Sequence, residues 1–224
     1  MRRTAAVIGT AAVTGLMLVG CGSSGSSASK DTTTTPAEAP TTTKAPMTEA
    51  SLTGVLLTPT ELGAGWTADT SSSSDSGPTP SCLQTIGSDT QVGEIDADAS
   101  YTNGPTVFAG ESLGAQTSAE VARSSYDEVT AALDSCTDLT ITSDGQTITG
   151  TISPSGTTNY GDVSRSYSMN FDVQGVPLGF EIIVAQVGDT DMLVMYGAIG
   201  PARTGAAGSM ADLAIKKLTT GAPA

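Results

Sequence analysis

The sequence has no histidine. That absence removes the Ser-His-Asp and Cys-His arrangements and the common histidine-bearing metal sites. Cations are scarce as well. Lysine and arginine total 9 against 23 aspartates and glutamates, for a net charge of −14. With no basic stripe, the chain lacks the surface by which proteins hold the phosphates of nucleic acid. It also lacks a large polybasic patch for anionic lipid. Aromatic residues are only 4% of the chain, with a single tryptophan, Trp66. No nucleophile elbow, phosphate-binding loop or dinucleotide fingerprint occurs. The chain therefore reads as a non-enzyme, with no catalytic residues, no metal site and no cofactor.

What is present begins with an address. Arg2 and Arg3 precede an uncharged stretch from Thr4 to Val19, the layout of a secretory signal. Sixteen uncharged residues diluted by Gly and Thr make a poor spanning helix, which needs about 20 mostly apolar ones. Leu18-Val19-Gly20-Cys21 resembles a bacterial lipobox. In such signals the cysteine thiol accepts a diacylglyceryl group and a peptidase cuts before it, here between Gly20 and Cys21. Residues 1–20 are thus expected to be a lipoprotein signal peptide and Cys21 the lipidated residue. Two acyl chains anchor a protein stably, whereas one binds marginally. The expected location is the extracytoplasmic side of the cell membrane.

Residues 21–48 carry Cys21 and a tether of Ser, Thr, Pro, Ala and Gly. Such a composition buries too little to offset its ordering entropy. As a coil of 27 residues after Cys21 it would span roughly 30 Å. Its Thr/Pro clusters are similar to O-glycosylated stalks, and a bare linker fits equally well.

Residues 49–224 are the right length for one domain with a full core. They hold Cys82 and Cys136. An even pair in an oxidising compartment reads as a disulfide.

Thr58-Pro59 with Glu61 predicts a short capped helix, ended by Gly63 and Gly65. Trp66 after it is expected to plug the core. Residues 67–81 read as a polar loop, with a helical turn near Ser81. Asn103-Gly104 predicts a hairpin, blunted by Pro105. Thr117 and Glu120 suggest a capping box opening a helix, with Val121, Ser125, Val129, Ala132, Leu133 and Cys136 on its buried face.

From there the period is two. Hairpins are expected at Asp144-Gly145, Gln174-Gly175 and Gly188-Asp189. "VSRSYSMNFDV" alternates, with Arg165 interrupting a face of Val163, Tyr167, Met169 and Phe171. "GSMADLAIKKL" predicts a final helix, with Ser209 as cap and Lys216 and Lys217 at its C-terminal end. The fold class is α+β: an antiparallel, meander-rich sheet packed with helices.

"LLTPTELGAGW", a later cysteine, a helix ending in "SC", a strand meander and a last helix together resemble the PknH-type extracellular sensor domain. That domain occurs outside the membrane on mycobacterial serine/threonine kinases, and alone in mycobacterial lipoproteins. The resemblance spans about residues 50–220. It implies an antiparallel sheet with helices, a cleft able to hold a small ligand, and ligand sensing or binding without catalysis. Trp66 matches the family's early tryptophan, and Cys82 and Cys136 match a cysteine pair. The kinase-linked form has a second disulfide, for which this sequence has no cysteines. No kinase domain follows, so a signal would pass through a partner.

Two side chains are ligand-binding candidates. Arg165 could grip an anionic group beside an apolar face, and Tyr167 could line the cleft. Glu94, Asp96 and Asp98 alternate, but the spacing that follows lacks the glycine and final glutamate of a calcium loop. Asp189 and Asp191 read as turn residues. The leading expectation is a membrane-anchored module that binds or senses a small molecule or an envelope protein. The alternative is a lipid or glycolipid carrier, which needs a continuous apolar cavity.

Overall fold

The computed structural model describes residues 47–70, 95–143 and 146–221. The signal segment, Cys21, nearly all of the tether, Cys82, Glu94 and the Asp144-Gly145 turn lie outside those residues.

The described chain builds eight strands and four helices: α1 Glu49–Val55, α2 Pro59–Leu62, β1 Trp66–Ala68, β2 Ile95–Asn103, β3 Val107–Ala115, α3 Ala119–Ser135, β4 Asp138–Ser143, β5 Gln146–Thr157, β6 Val163–Val173, β7 Val176–Val187, β8 Thr190–Ile199 and α4 Gly208–Thr220. The strands form one sheet in the order β1-β2-β3-β8-β7-β6-β5-β4, and every pair is antiparallel. The architecture is the α+β sheet expected from the pattern. It consists of two meanders, β1 to β3 and β4 to β8, joined where β8 pairs with β3.

The order follows from one long connection. After β3 the chain enters α3, which crosses the sheet face over β8, β7 and β5 before the chain returns as edge strand β4. On the other face, α1 packs on β2, α4 packs on β7, and the two helices touch. The strand at the centre of this arrangement is covered on both sides, and β7 is buried without a break from Glu181 to Gln186. A strand enclosed twice reads as a run rather than an alternation, which accounts for "EIIVA".

The β6–β7 hairpin turns through Gln174 and Gly175, both left-handed, at φ 56° and 83°. A two-residue turn of this kind matches the strands' own twist and requires positive φ at both positions. The Asp172 carboxylate holds it by accepting the Gly175 N–H at 2.7 Å. At Gly179 a side chain would run into the backbone of Pro201 and Ala202, which cross over β7.

Local expectations fare unevenly. The capped helix at Thr58 forms as read: Thr58 accepts from the Glu61 N–H, and Glu61 accepts the Thr58 N–H at 2.7 Å. A second capped helix, α1, precedes it, with Thr48 as cap and Ser51 as its reciprocal partner. The cap of α3 is Ser118, not Thr117, and it accepts from the Val121 N–H. The buried face of α3 is Ala122, Tyr126, Thr130 and Leu133, and Val121 is 44% exposed. That is a rotation of one residue from the expected stripe.

Ser209 caps nothing. The N-cap of α4 is Ala207, without a side-chain bond. The buried Glu181 carboxylate on β7 does that work instead, accepting N–H groups from Gly205 at 2.7 Å and Ala207 at 2.8 Å. Trp66 is half-buried on an edge strand, edge-to-face with Tyr196 at 6.3 Å, rather than a core plug. Asp191 is a buried strand residue on β8, not a turn residue.

Candidate functional site

Counting along β3, Val107, Ala109, Glu111, Leu113 and Ala115 share one face of the sheet. Four of the five are apolar, and the face lies under α1. Glu111 is the exception and is only 2% exposed. Its Oε2 accepts the Leu57 N–H at 2.7 Å. Tyr101, on the neighbouring strand, donates its hydroxyl to the Leu57 carbonyl. Both backbone groups of Leu57 are thereby tied to the sheet, and the elbow between α1 and α2 is fixed above it.

The other Glu111 oxygen, Oε1, is buried and has no hydrogen-bond partner. Burial pushes this carboxyl up to about 7, opposed in part by the Leu57 N–H and by the Lys217 charge. Burial, followed by the charges of Glu111 and Glu61, pushes the Tyr101 phenol well above its ordinary range. Lys217 reaches over from α4, donating to the Leu56 carbonyl at 2.7 Å and to Glu61 at 3.0 Å. Its ammonium is thus bonded to the elbow.

Beside this clamp lies an open hollow of about 980 Å³, where the α1–α2 elbow meets β2, β3 and β8. Glu111 and Tyr101 line it, with Asp98, Ser100, Ser112 and Met195 among their neighbours. Its charged lining residues are Asp69, Asp98 and Glu111, with no lysine or arginine among them. A smaller hollow of about 400 Å³ lies between α4 and the β1 end of the sheet, lined largely by Leu62, Trp66, Val107, Tyr196, Met210 and Leu213.

The two residues chosen from the strand pattern sit elsewhere. Tyr167 is fully buried under α3 and donates to the Thr130 carbonyl at 3.2 Å and to Asp134 at 3.1 Å. Arg165 pairs with Asp134 at 2.5 Å and lies over the Tyr167 ring, 5.7 Å from its centroid. Together they fasten α3 to β6, and neither lines either hollow. Cys136 is buried just past the end of α3, at 2% exposure, while Cys82 is outside the described residues. Among the described residues no group of three or more metal-ligating side chains occurs, and no helix is long and apolar enough to cross a membrane.

Glu111 went unread in the sequence. The signal was an acid in an otherwise apolar alternation, the same kind of break that drew attention to Arg165.

The fold defines an α+β domain in which one long antiparallel sheet carries helices on both faces. That fold is shared with the crystal structure of the extracellular domain of PknH from Mycobacterium tuberculosis, at a TM-score of 0.63 and 14% identity, covering 79% of this chain and 98% of that one. At this identity the likeness is one of fold. No family model and no curated sequence matches the chain.

Proposed function

We propose that this protein is a non-catalytic, extracytoplasmic binding or sensor module, held to the membrane by lipid on Cys21 and spaced from it by the tether. The observation that carries the reading is the open hollow beside Glu111. It is large enough for a small ligand, since ligand sites commonly run to about 300–1,000 Å³. Among its lining residues is Glu111, one of whose carboxylate oxygens the fold leaves unsatisfied. The fold shared with an extracellular domain supports the location. The lipobox-like Leu18 to Cys21 supports the anchor. Cys82 is the proposed partner of Cys136, which its placement at the buried end of α3 suits.

A second reading, a lipid or glycolipid carrier, draws on the smaller hollow and its apolar, aromatic lining. The main hollow is mixed in polarity and open, which favours the sensor.

The test is native mass spectrometry of the full chain purified from its own envelope, compared with the denatured mass. A reproducible mass released on denaturation is expected, and acyl-chain spacing in it would shift the reading to the carrier. No released mass, together with no response to any small molecule, would remove ligand binding. The denatured mass also reports the diacylglyceryl group on Cys21. Alkylation without reductant, followed by mapping, reports whether Cys82 and Cys136 are joined.

A further inference from the structure

Helix α1 has seven residues, well short of the roughly 12 that an isolated helix needs to persist in water. Its surroundings hold it. Leu52 and Val55 are buried in the core. The next two residues, Leu56 and Leu57, are gripped through their backbone by side chains from three other elements. Lys217 of α4 donates to the Leu56 carbonyl, Tyr101 of β2 donates to the Leu57 carbonyl, and Glu111 of β3 accepts the Leu57 N–H. The third grip is the odd one. A neutral amide would accept from Leu57 equally well, whereas a carboxylate brings a second oxygen, and Oε1 of Glu111 is buried without a partner.

The two protonation states of Glu111 therefore fit the elbow differently. Ionised, the carboxyl is a buried charge, and a buried charge is tolerated only when it is paired and fully hydrogen-bonded. The cation of this cluster, Lys217, bonds Glu61 and the Leu56 carbonyl. Protonated, Glu111 is neutral and keeps a carbonyl oxygen for the Leu57 N–H. The elbow thus rests more firmly on the acid than on the carboxylate. A bare carboxylate oxygen lacks water, and raising the elbow admits it.

We propose that the α1–α2 elbow is a latch closed by protonation of Glu111: with the proton on, α1 and the elbow stay seated on the sheet, and with it off they lift as a local unit while the rest of the sheet stays folded. The inference uses neither hollow and no ligand, so it stands apart from the binding reading. Its place gives it a consequence. The tether read from the sequence ends where α1 begins, so opening the latch would add α1 and the elbow to the tether.

The groups facing Glu111 decide which proton matters. They are Tyr101 from β2, Glu61 from α2 and Lys217 from α4. Helix α1 brings Leu52 and Val55, and β8 brings Val194, none of which titrates. Burial, then the charges of Glu111 and Glu61, pushes the Tyr101 phenol above its ordinary range, so it stays neutral. Burial pushes Glu61 up, but bonds from Lys217 and Thr58 outweigh it and hold that carboxyl below its ordinary range, so it stays ionised. Glu111 lies at about 7 with the elbow closed, against an ordinary 4.5. A raised value means that the closed form is favoured fully below about pH 4.5 and loses that advantage as pH rises through 7. Between about pH 6 and about pH 8 opening should become roughly tenfold more favourable.

The experiment is amide hydrogen exchange, read by proton–nitrogen NMR on the full chain in mild detergent and corrected for the intrinsic dependence of exchange on base. The reporters are the Leu57 amide, bonded to Glu111, and the Leu52 amide, bonded to the Thr48 carbonyl at 2.9 Å. Ile183, buried mid-strand in β7, is the reference for global opening. Leu52 and Leu57 should be less protected than Ile183 at every pH, and their protection should fall roughly tenfold from about pH 6 to about pH 8. Glu111→Gln keeps an acceptor for Leu57 and should remove that pH dependence. If this variant fails to fold, Tyr101→Phe, which drops the other grip on Leu57, should lower protection at both reporters by roughly tenfold at every pH and leave the slope intact. Protection that is flat or rises with pH in the parent would overturn the inference, as would a slope that survives Glu111→Gln. Reporters that exchange no faster than Ile183 would mean that release is global, and the latch would fall. Tyr101→Phe without effect on Leu52 and Leu57 would show that the elbow is not what holds α1, with the same result.

Discussion

Under α3, the polar groups of β6 are mutually satisfied; under α1, those of β3 are not. Tyr167, Asp134 and Arg165 form a closed chain of donor and acceptor, and the Thr130 hydroxyl bonds back to the Tyr126 carbonyl at 2.8 Å. One oxygen on that side, Asp191 Oδ1, lacks a partner, but Asp191 lines neither hollow. On the α1 side, Tyr101 and Glu111 also grip a backbone, yet Glu111 keeps a buried oxygen without a partner. The same polar vocabulary thus does two jobs. Where it closes on itself it fastens a helix. Where it stays open it leaves one buried oxygen unpaired, and local violations of good packing tend to gather at functional sites.

The closed side should respond to damage with lost stability alone. Tyr167→Ala is expected to cost about 3–5 kcal/mol, the range for deleting a fully buried aromatic ring. Tyr167→Phe keeps the ring and loses the bonds to Thr130 and Asp134, for about 1–2 kcal/mol. Urea midpoints of the full chain measure both. A Phe variant as stable as the parent would show that the Tyr167–Asp134 link is idle.

The open side should show its strain through pH. Folding raises the Glu111 carboxyl from its ordinary 4.5 to about 7. Between those values the folded state binds the proton more tightly than the unfolded one. Stability is therefore full below about pH 4.5 and falls as pH rises through 7, by about 3 kcal/mol in all. Asp96, pushed up by burial and then by Asp98, and Asp191, pushed up by burial, add to the slope at its acid end. Denaturant midpoints across this range check the sign. Glu111→Gln should flatten the neutral part of the slope. A slope rising with pH would mean that Glu111 is charged and satisfied after all.

How much of this could be read in advance depends on the distance over which each feature is encoded. Strands β4 to β8 were legible because period two and two-residue turns are local: Gln174-Gly175 and Gly188-Asp189 both appear where expected. Helix α3 was legible as a helix, but its face was not. Its buried stripe relies on Ala122 and Thr130 rather than large apolar residues, and Thr130 is tolerated there because its hydroxyl bonds to Tyr126. Helix α1, seven residues containing a glycine, carries too little periodicity to register. The Glu181 cap joins β7 to a loop more than twenty residues later in the chain, so Ser209 looked like the obvious cap. The hollow is the least local feature of all. It gathers the α1–α2 elbow, β2, β3 and β8, and only the acid at position 111 hinted at it.

The comparison is sharpened last by the smallest change. Arg165→Ala removes one partner of an ion pair whose side chains are 36% and 33% exposed. Exposed pairs are worth about 0.2–1 kcal/mol, and the contact with the Tyr167 ring adds a similar amount at most. A loss of about 1 kcal/mol is expected in urea, shrinking at high salt as screening grows. The pH slope that Glu111 sets should be unchanged, because Arg165 lies under α3 and lines neither hollow. If Arg165→Ala instead weakened ligand binding in a folded protein, the two sides of the sheet would be coupled, and the chain from Arg165 through Asp134 to Tyr167 would have to be counted as part of the binding apparatus.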